Sequence, residues 1–144
     1  MTFVRDNLPL DTEYTGIDLS PFYLDAAREN DQYWRKTRKA EEKRKNNDQG
    51  DIPPAHFVQA QAESLPFEDE SYDAVLCVYL FHELPKNVRA RAAAELARVV
   101  RPGGTVVLTD SIQRGDRPIL DQGLANFGKM NEPHYLEYCG DNLL

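Results

Sequence analysis

Three short apolar runs, each handed on to polar or acidic residues and spaced by helix-patterned stretches, restrict this chain to a layered α/β fold. They lie in YTGIDLSPFYLDAARE (Tyr14 to Glu29), FVQAQAESLPFEDESYDAVLCVYLFHELP (Phe57 to Pro85) and ELARVVRPGGTVVLTD (Glu95 to Asp110). In the first an acidic residue closes a short strand. In the second a polar cluster precedes another strand, and in the third a helix runs through Pro-Gly-Gly into a strand. Such strand–helix repetition implies crossover connections, a mostly parallel sheet and helices on both of its faces. The order is the skeleton of an α/β domain that binds a nucleotide cofactor. No glycine-rich loop stands before Asp18.

The elements follow from local chemistry. Thr2 to Asn7 reads as the last turn of a helix broken at Pro9, and Glu13 to Ile17 as a strand. Ser20-Pro21 starts a helix, because serine caps well and proline suits the first helical position. Phe22, Ala26, Tyr33 and Thr37 continue it at helical spacing to about Lys45, and its highly charged later half, from Trp34 to Gly50, is expected to leave the body and fray. His56 to Gln59 is a strand, and the nearly all-apolar Asp73 to Leu80 suits a strand buried on both faces. A helix spans Asn87 to Val100, Pro102-Gly103-Gly104 stops it and turns, and Thr105 to Thr109 is a further strand. Beyond Gly115 the pattern weakens: Pro118 to Phe127 suits a helix, and the remainder has no clear period.

Composition narrows the function. At 144 residues the chain fits a single domain, 1–144, with its core at 8–110 and a looser segment at 111–144. A formal net charge of −7 argues against nucleic acid as the main partner. Its basic run, Arg35 to Lys45, is interrupted by Glu41 and Glu42 and reads as ion pairing on a solvated helix. Cys77 and Cys139 are too few for a disulfide framework, and a reduced thiol at Cys77 suits an intracellular, cytoplasmic protein, with an organelle left open. No apolar run reaches the roughly 18 residues of a membrane span, and no metal-binding motif is present.

Three clusters can carry chemistry. Asp18, with Leu19 beside it, stands where a carboxylate can accept hydrogen bonds from both hydroxyls of a cofactor ribose; its structural alternative is a turn residue helping to cap the Ser20 helix. Gln61-Ala62-Glu63, before the loop Ser64-Leu65-Pro66-Phe67, could read an adenine edge, or could be an ordinary solvated loop. Tyr79 to Glu83 ends the most apolar strand. There His82 could orient a substrate or accept a proton, or simply pack against Phe81. His134, Tyr135 and Tyr138 could line a substrate pocket.

Taken together these residues resemble a class I S-adenosylmethionine-dependent methyltransferase of the kind found in ubiquinone and menaquinone biosynthesis. The resemblance covers Leu8 to Asp110 and continues loosely over Asn126 to Asp141. It implies that Asp18 in TGIDLSP holds the ribose, that Gln61, Ala62 and Glu63 meet the adenine, and that Tyr79 to His82 stand on the methionine side. Gln61 occupies the place where the family carries an adenine-binding Asp. His82 is then the first base to test on a small-molecule acceptor. The family's first strand, which is central, and its Gly-x-Gly-x-Gly loop have no counterpart here. The resemblance therefore implies an incomplete Rossmann-like sheet with a gap of about 10 Å where that strand would lie. Weak or absent cofactor binding is the consequence, and an open sheet edge invites self-association. The alternative is a non-catalytic remnant or binding protein on the same fold. A nicotinamide oxidoreductase fits less well, since its glycine fingerprint is equally absent and the Leu-Pro-Phe and Pro-Gly-Gly contexts suit it poorly.

Overall fold

The structure is a computed structural model and describes residues 2–45, 51–124, 126 and 132–141. It divides into two compact units, residues 1–61 and 62–144.

In the first unit the order is α1 (Thr2–Asp6), β1 (Thr15–Asp18), α2 (Pro21–Arg44) and β2 (His56–Gln59). Ser20 is the N-cap of α2, its hydroxyl accepting from the Tyr23 N–H at 3.4 Å, with Pro21 in the first turn. The buried residues of α2 are Leu24, Asp31 and Trp34, which share one face at helical spacing. β1 and β2 pair in parallel, from Thr15 opposite His56 to Asp18 opposite Gln59. Three members of the basic run form ion pairs: Arg35 with Asp31, Arg38 with Glu41 at 3.1 Å, and Lys39 with Asp51. The later half of α2, expected to leave the body, instead stays helical to Arg44 and packs on it at Trp34, which is buried and donates from Nε1 to Asp6 at 2.7 Å; residues 46–50 lie outside the described residues.

Asp31 ties this unit together. Its side chain is buried, pairs with the buried Arg5 of α1, receives Arg35 Nε at 2.9 Å and accepts the Ala55 N–H at 3.4 Å. Arg5 also donates to the Pro53 carbonyl at 3.0 Å, and its guanidinium stacks on Trp34 with 4.3 Å to the ring centroid. One carboxylate thus anchors α1, α2 and the approach to β2.

In the second unit β3 (Tyr72–Val78) leads through a 3-10 turn (Phe81–Glu83) to α3 (Lys86–Val99) and β4 (Val100–Thr109). A second 3-10 turn (Pro118–Leu120) and the short helix α4 (Tyr135–Gly140) come after it. β3 and β4 are parallel. All strand pairing is therefore parallel and joined through helices, a Rossmann-like α/β arrangement. Among the described residues β1 pairs only with β2, and β3 only with β4.

Pro102-Gly103-Gly104 is not a turn before the strand but a bulge within it. Tyr72 faces Val100, yet Ala74 faces Thr105, so three extra residues on β4 are looped out. Gly103 has φ +80, and a Cβ on Gly104 would lie 2.7 Å from the Asp73 carbonyl oxygen. Glycine is required at both positions, for handedness at one and for close approach at the other. Nor are these strands buried on both faces. Leu76, Val78, Val106, Val107 and Leu108 are 40–49% exposed, because two strands cannot cover each other's faces and α3 shields only part of them.

The core of this unit combines Cys77 of β3, Ala92, Leu96 and Val99 of α3, and Tyr135, Tyr138 and Cys139 of α4, with Leu65, Phe81 and Leu124. Sequence periodicity does not reveal α4, since six residues are too few to establish a period. Arg89, 2% exposed, locks it in place: it donates to Asp141 at 2.6 Å, to Glu137 at 3.3 Å and to the Leu84 carbonyl at 2.5 Å. The helix expected over Pro118 to Phe127 is realised as the 3-10 turn and a helical turn at 121–124, with 125 and 127 outside the described residues.

A clamp on α3 shapes the 62–70 loop. Glu95 accepts the Leu65 N–H at 2.8 Å and chelates Arg98 through both carboxylate oxygens, at 2.7 and 2.8 Å. Arg98 in turn donates to the carbonyls of Phe67 at 2.8 Å and Leu65 at 3.1 Å. The hydrogen bonds from Arg98 and Leu65 hold the Glu95 carboxyl down at about 2, against an ordinary 4.5.

Both anchors have measurable consequences. Asp31→Ala leaves Arg5 buried without its counter-ion and is expected to cost about 3–5 kcal/mol, while a double replacement by Arg5→Met and Asp31→Leu recovers much of the loss. Urea titration followed by circular dichroism reads both, and a single-variant loss under about 1 kcal/mol would remove Asp31 as the anchor. For Glu95 the folded-state pKa is depressed, so its contribution is present above pH 4.5 and is lost as pH falls toward about 2. Glu95→Gln should flatten the acid limb of the stability curve over that window; an unchanged limb would contradict the clamp.

Candidate active site

Ligands of open α/β sheets bind beyond the carboxyl ends of the strands, where the backbone turns into the next helix. Each unit has such an end.

In the first unit it is the β1–α2 turn. Asp18 Oδ1 accepts the Ser20 N–H at 2.8 Å, so the capping role is realised with one oxygen. Its Oδ2 makes no hydrogen bond among the described residues, and the carboxylate is half-buried. Leu19 is 61% exposed, and its carbonyl accepts from Gln59 Nε2 at 2.9 Å, which braces the turn against β2. A fixed carboxylate with a free oxygen beside an exposed apolar side chain can take a hydroxyl pair and the face of a ring. Gln61 ends this unit exposed, its side chain without a hydrogen bond among the described residues.

In the second unit the 62–64 turn carries Ala62, packed against the core, and Glu63, half-buried. The Glu95–Arg98 clamp holds the loop beyond them. The centre of this unit is the β3 end. Tyr79 adopts φ 51, a left-handed backbone unusual for a tyrosine, and its N–H is taken by the Thr109 carbonyl at 2.8 Å. Asp110 secures the next residues: its Oδ2 accepts the N–H groups of Leu80 at 3.0 Å and Phe81 at 2.7 Å, and its Oδ1 accepts Ser111 N–H at 2.7 Å.

His82 is buried and sits in this turn with Nδ1 2.5 Å from Asp110 Oδ1. Tyr79, Tyr135 and Tyr138 stand around its ring edge-to-face, with centroids at 6.3, 6.1 and 6.2 Å. Its Nε2 faces Glu132 Oε2 at 3.8 Å and Glu83 Oε1 at 3.9 Å. Burial raises the Tyr135 hydroxyl to about 12 and, with the negative Asp110 close by, the Cys77 thiol to about 11. Tyr138 is pushed up by burial and by Asp110 as well, and its hydroxyl donates to the Ser111 carbonyl at 2.6 Å. These three groups keep their protons at neutral pH.

The structure thus brings Tyr79, His82, Tyr135 and Tyr138 together, and Asp18 with Leu19. His134 has no ring contact with the cluster and supplies the N-cap backbone of α4. Asp110 and Glu132 are the residues that sequence reasoning does not single out. The signal for Asp110 is legible all the same: it is an acid directly after an apolar strand, the pattern that marks Asp18. Glu132 has no sequence signal, since only the packing of Tyr135 and Tyr138 brings it to the imidazole. Among the described residues no group of three or more His, Cys, Asp or Glu is placed to hold a metal ion. No described helix is long and apolar enough to cross a membrane.

Known proteins are similar to this chain in sequence and fold. A methyltransferase-domain family model matches residues 3–108. The phthiotriol/phenolphthiotriol dimycocerosates methyltransferase 1 of Mycobacterium ulcerans is 49% identical over 59 residues, 41% of this chain and 21% of that protein. The fatty-acid O-methyltransferase of Mycolicibacterium smegmatis is 35% identical over 114 residues, 78% of this chain and 34% of that protein. The uncharacterized methyltransferase YcgJ of Bacillus subtilis is 34% identical over 85 residues, 59% of this chain and 32% of that protein. A crystal structure of YcgJ matches with a TM-score of 0.53 at 25% identity, over 86% of this chain and 45% of that one. This chain spans between 21% and 34% of the length of those three curated relatives. The family match runs through both units and includes the strand ends that carry Asp18, Tyr79 and His82. The chain belongs to the methyltransferase-domain family, in its class I branch.

Proposed function

We propose that this chain serves S-adenosylmethionine-dependent methyl transfer to a small organic acceptor. The observation that carries the reading is Asp18: a carboxylate at the end of a parallel strand, fixed by one oxygen and open at the other, beside the exposed Leu19. That acceptor oxygen and apolar side chain fit a ribose diol and an adenine face. Asp18 holds the ribose, Leu19 covers the adenine, and Gln61, Ala62 and Glu63 meet the adenine edge. When bound, S-adenosylmethionine supplies a sulfonium-activated methyl group for in-line displacement.

In the second unit Tyr79 and His82 serve the methionine and acceptor side. Where the acceptor nucleophile carries a proton, His82 Nε2 takes it as the new bond to the methyl forms. The tyrosine rings exclude water and offer an apolar wall. The name of the fatty-acid O-methyltransferase makes a lipid with an oxygen nucleophile the first acceptor to assay. Residues 1–144 form part of one methyltransferase domain, a reading supported by the family match through both units. The free, buried Cys77 and Cys139 support an intracellular site of action. The open edges of the two-stranded sheets support self-association of these residues.

The 144 residues contain no Gly-x-Gly-x-Gly sequence, so the backbone approach to the methionine part is missing from them. Cofactor binding by this chain is therefore expected to be weak, with a Kd on the order of 1 mM, or about −4 kcal/mol. Titration with S-adenosylmethionine, followed by 15N–1H amide shifts, tests this. Shifts should appear at Asp18, Leu19, Ala62, Glu63 and Tyr79, and Asp18→Ala should abolish those at Asp18 and Leu19. Millimolar cofactor without shifts at these residues would overturn the assignment, and micromolar affinity would overturn the expected weakness.

A further inference from the structure

Asp110 has a role that neither strand pairing nor core packing requires. Its side chain is 3% exposed, and that of His82 is 8% exposed. A carboxylate only accepts hydrogen bonds, and both oxygens of Asp110 already receive backbone N–H groups: Leu80 and Phe81 on Oδ2, Ser111 on Oδ1. The 2.5 Å contact between Oδ1 and His82 Nδ1 can then be held only if Nδ1 carries the hydrogen.

We infer that Asp110 is a positioning residue that fixes His82 in the Nδ1–H tautomer and leaves Nε2 as the proton-accepting atom. The inference rests on the proposed role of His82 and deepens it. The groups facing the imidazole are Asp110 from the end of β4, Glu83 from its own 3-10 turn, Tyr79 from the end of β3, and Glu132, Tyr135 and Tyr138 from the C-terminal segment. On the Nε2 side the carboxylates lie at 3.8 and 3.9 Å, beyond hydrogen-bond length, so neither pins a hydrogen on that atom. Glu132 Oε2 is itself buried without a hydrogen-bond partner among the described residues. A proton that passes from an acceptor hydroxyl to Nε2 converts the ring to imidazolium. Asp110 then balances the charge at Nδ1, and Glu132 Oε2 is the acceptor facing the new Nε2–H. The hydroxyl oxygen keeps the electron pair that would form its bond to the methyl carbon, while the methyl–sulfur bond would break and leave its pair on sulfur as a neutral thioether.

The same geometry fixes where the ring points. Because Asp110 also holds Leu80 and Phe81, the imidazole and the strained turn after Tyr79 share one anchor, so the ring cannot swing without releasing backbone N–H groups. Replacing Asp110 with Asn converts one oxygen to an NH2. An NH2 on the Oδ2 side would oppose two fixed N–H donors, Leu80 and Phe81, and on the Oδ1 side only Ser111, so the NH2 falls on the Oδ1 side at the loss of the Ser111 bond and donates to Nδ1, which moves the ring hydrogen to Nε2.

Long-range 15N–1H correlation on the full 144-residue chain without cofactor, above the pH range of imidazole titration, reads the tautomer directly. The chain has three histidines, and loss of a signal in His82→Gln assigns the one in question. The expected result is an Nδ1–H pattern for His82 in the native chain and an Nε2–H pattern in Asp110→Asn. An Nε2–H pattern in the native chain would overturn the inference, as would an unchanged tautomer in a folded Asp110→Asn. Should Asp110→Asn not fold, the native tautomer alone decides. Because no cofactor is present, failure here leaves the ribose assignment of Asp18 standing, and failure of the cofactor titration leaves the tautomer standing.

Discussion

The capture of backbone N–H groups by a carboxylate, at the point where a strand hands over to a turn, is the interaction on which the rest of this structure depends. A strand that ends leaves its next N–H groups without ladder partners, and an unpaired buried N–H is costly. Asp18 meets this need for Ser20 and Asp110 for Leu80, Phe81 and Ser111, and Glu95 does the same for Leu65 within the 62–70 loop. Where the carboxylate is deeply buried, as at Asp110, such charge-assisted bonds are worth about 1.5–3 kcal/mol each. The effect is to make turns rigid that would otherwise be the loosest parts of the chain.

Rigidity at these turns is also what chemistry asks for. Methyl transfer needs little from a protein beyond alignment of donor and acceptor and exclusion of water. The acids that hold the turns therefore sit among the residues proposed to carry function, and structural and functional roles are not separable at Asp18 or Asp110. Elsewhere the chain uses buried charge purely for anchoring. Arg5 with Asp31 in the first unit, and Arg89 with Glu137 and Asp141 in the second, tie short terminal helices to longer ones. Neither α1 nor α4 is long enough to hold itself.

Much of this was legible from residue chemistry. Ser20-Pro21 marks the start of α2 because capping is local, and His56 to Gln59 appears where its apolar pattern puts it. Asp18 is recognisable because a strand precedes it and a helix cap comes next. What stayed hidden depends on contacts between distant residues. The bulge at Pro102-Gly103-Gly104 is set by the partner strand, where Asp73 closes on Gly104, and a reading of glycine and proline alone sees only a helix stop. The exposure of Val106 and Leu108 reflects how few strands lie beside them, which hydrophobicity does not encode. Two of the three tyrosines around His82 come from α4, whose register depends on Arg89, far earlier in the chain than its first tyrosine, Tyr135.

Amide hydrogen exchange in the native state is the most direct test of carboxylate capture. The account predicts that Ser20, Leu65, Leu80, Phe81 and Ser111 exchange as slowly as amides inside β1 to β4, although all five lie outside those strands. Exchange at those positions as fast as in an open loop, with the strands still protected, would contradict it.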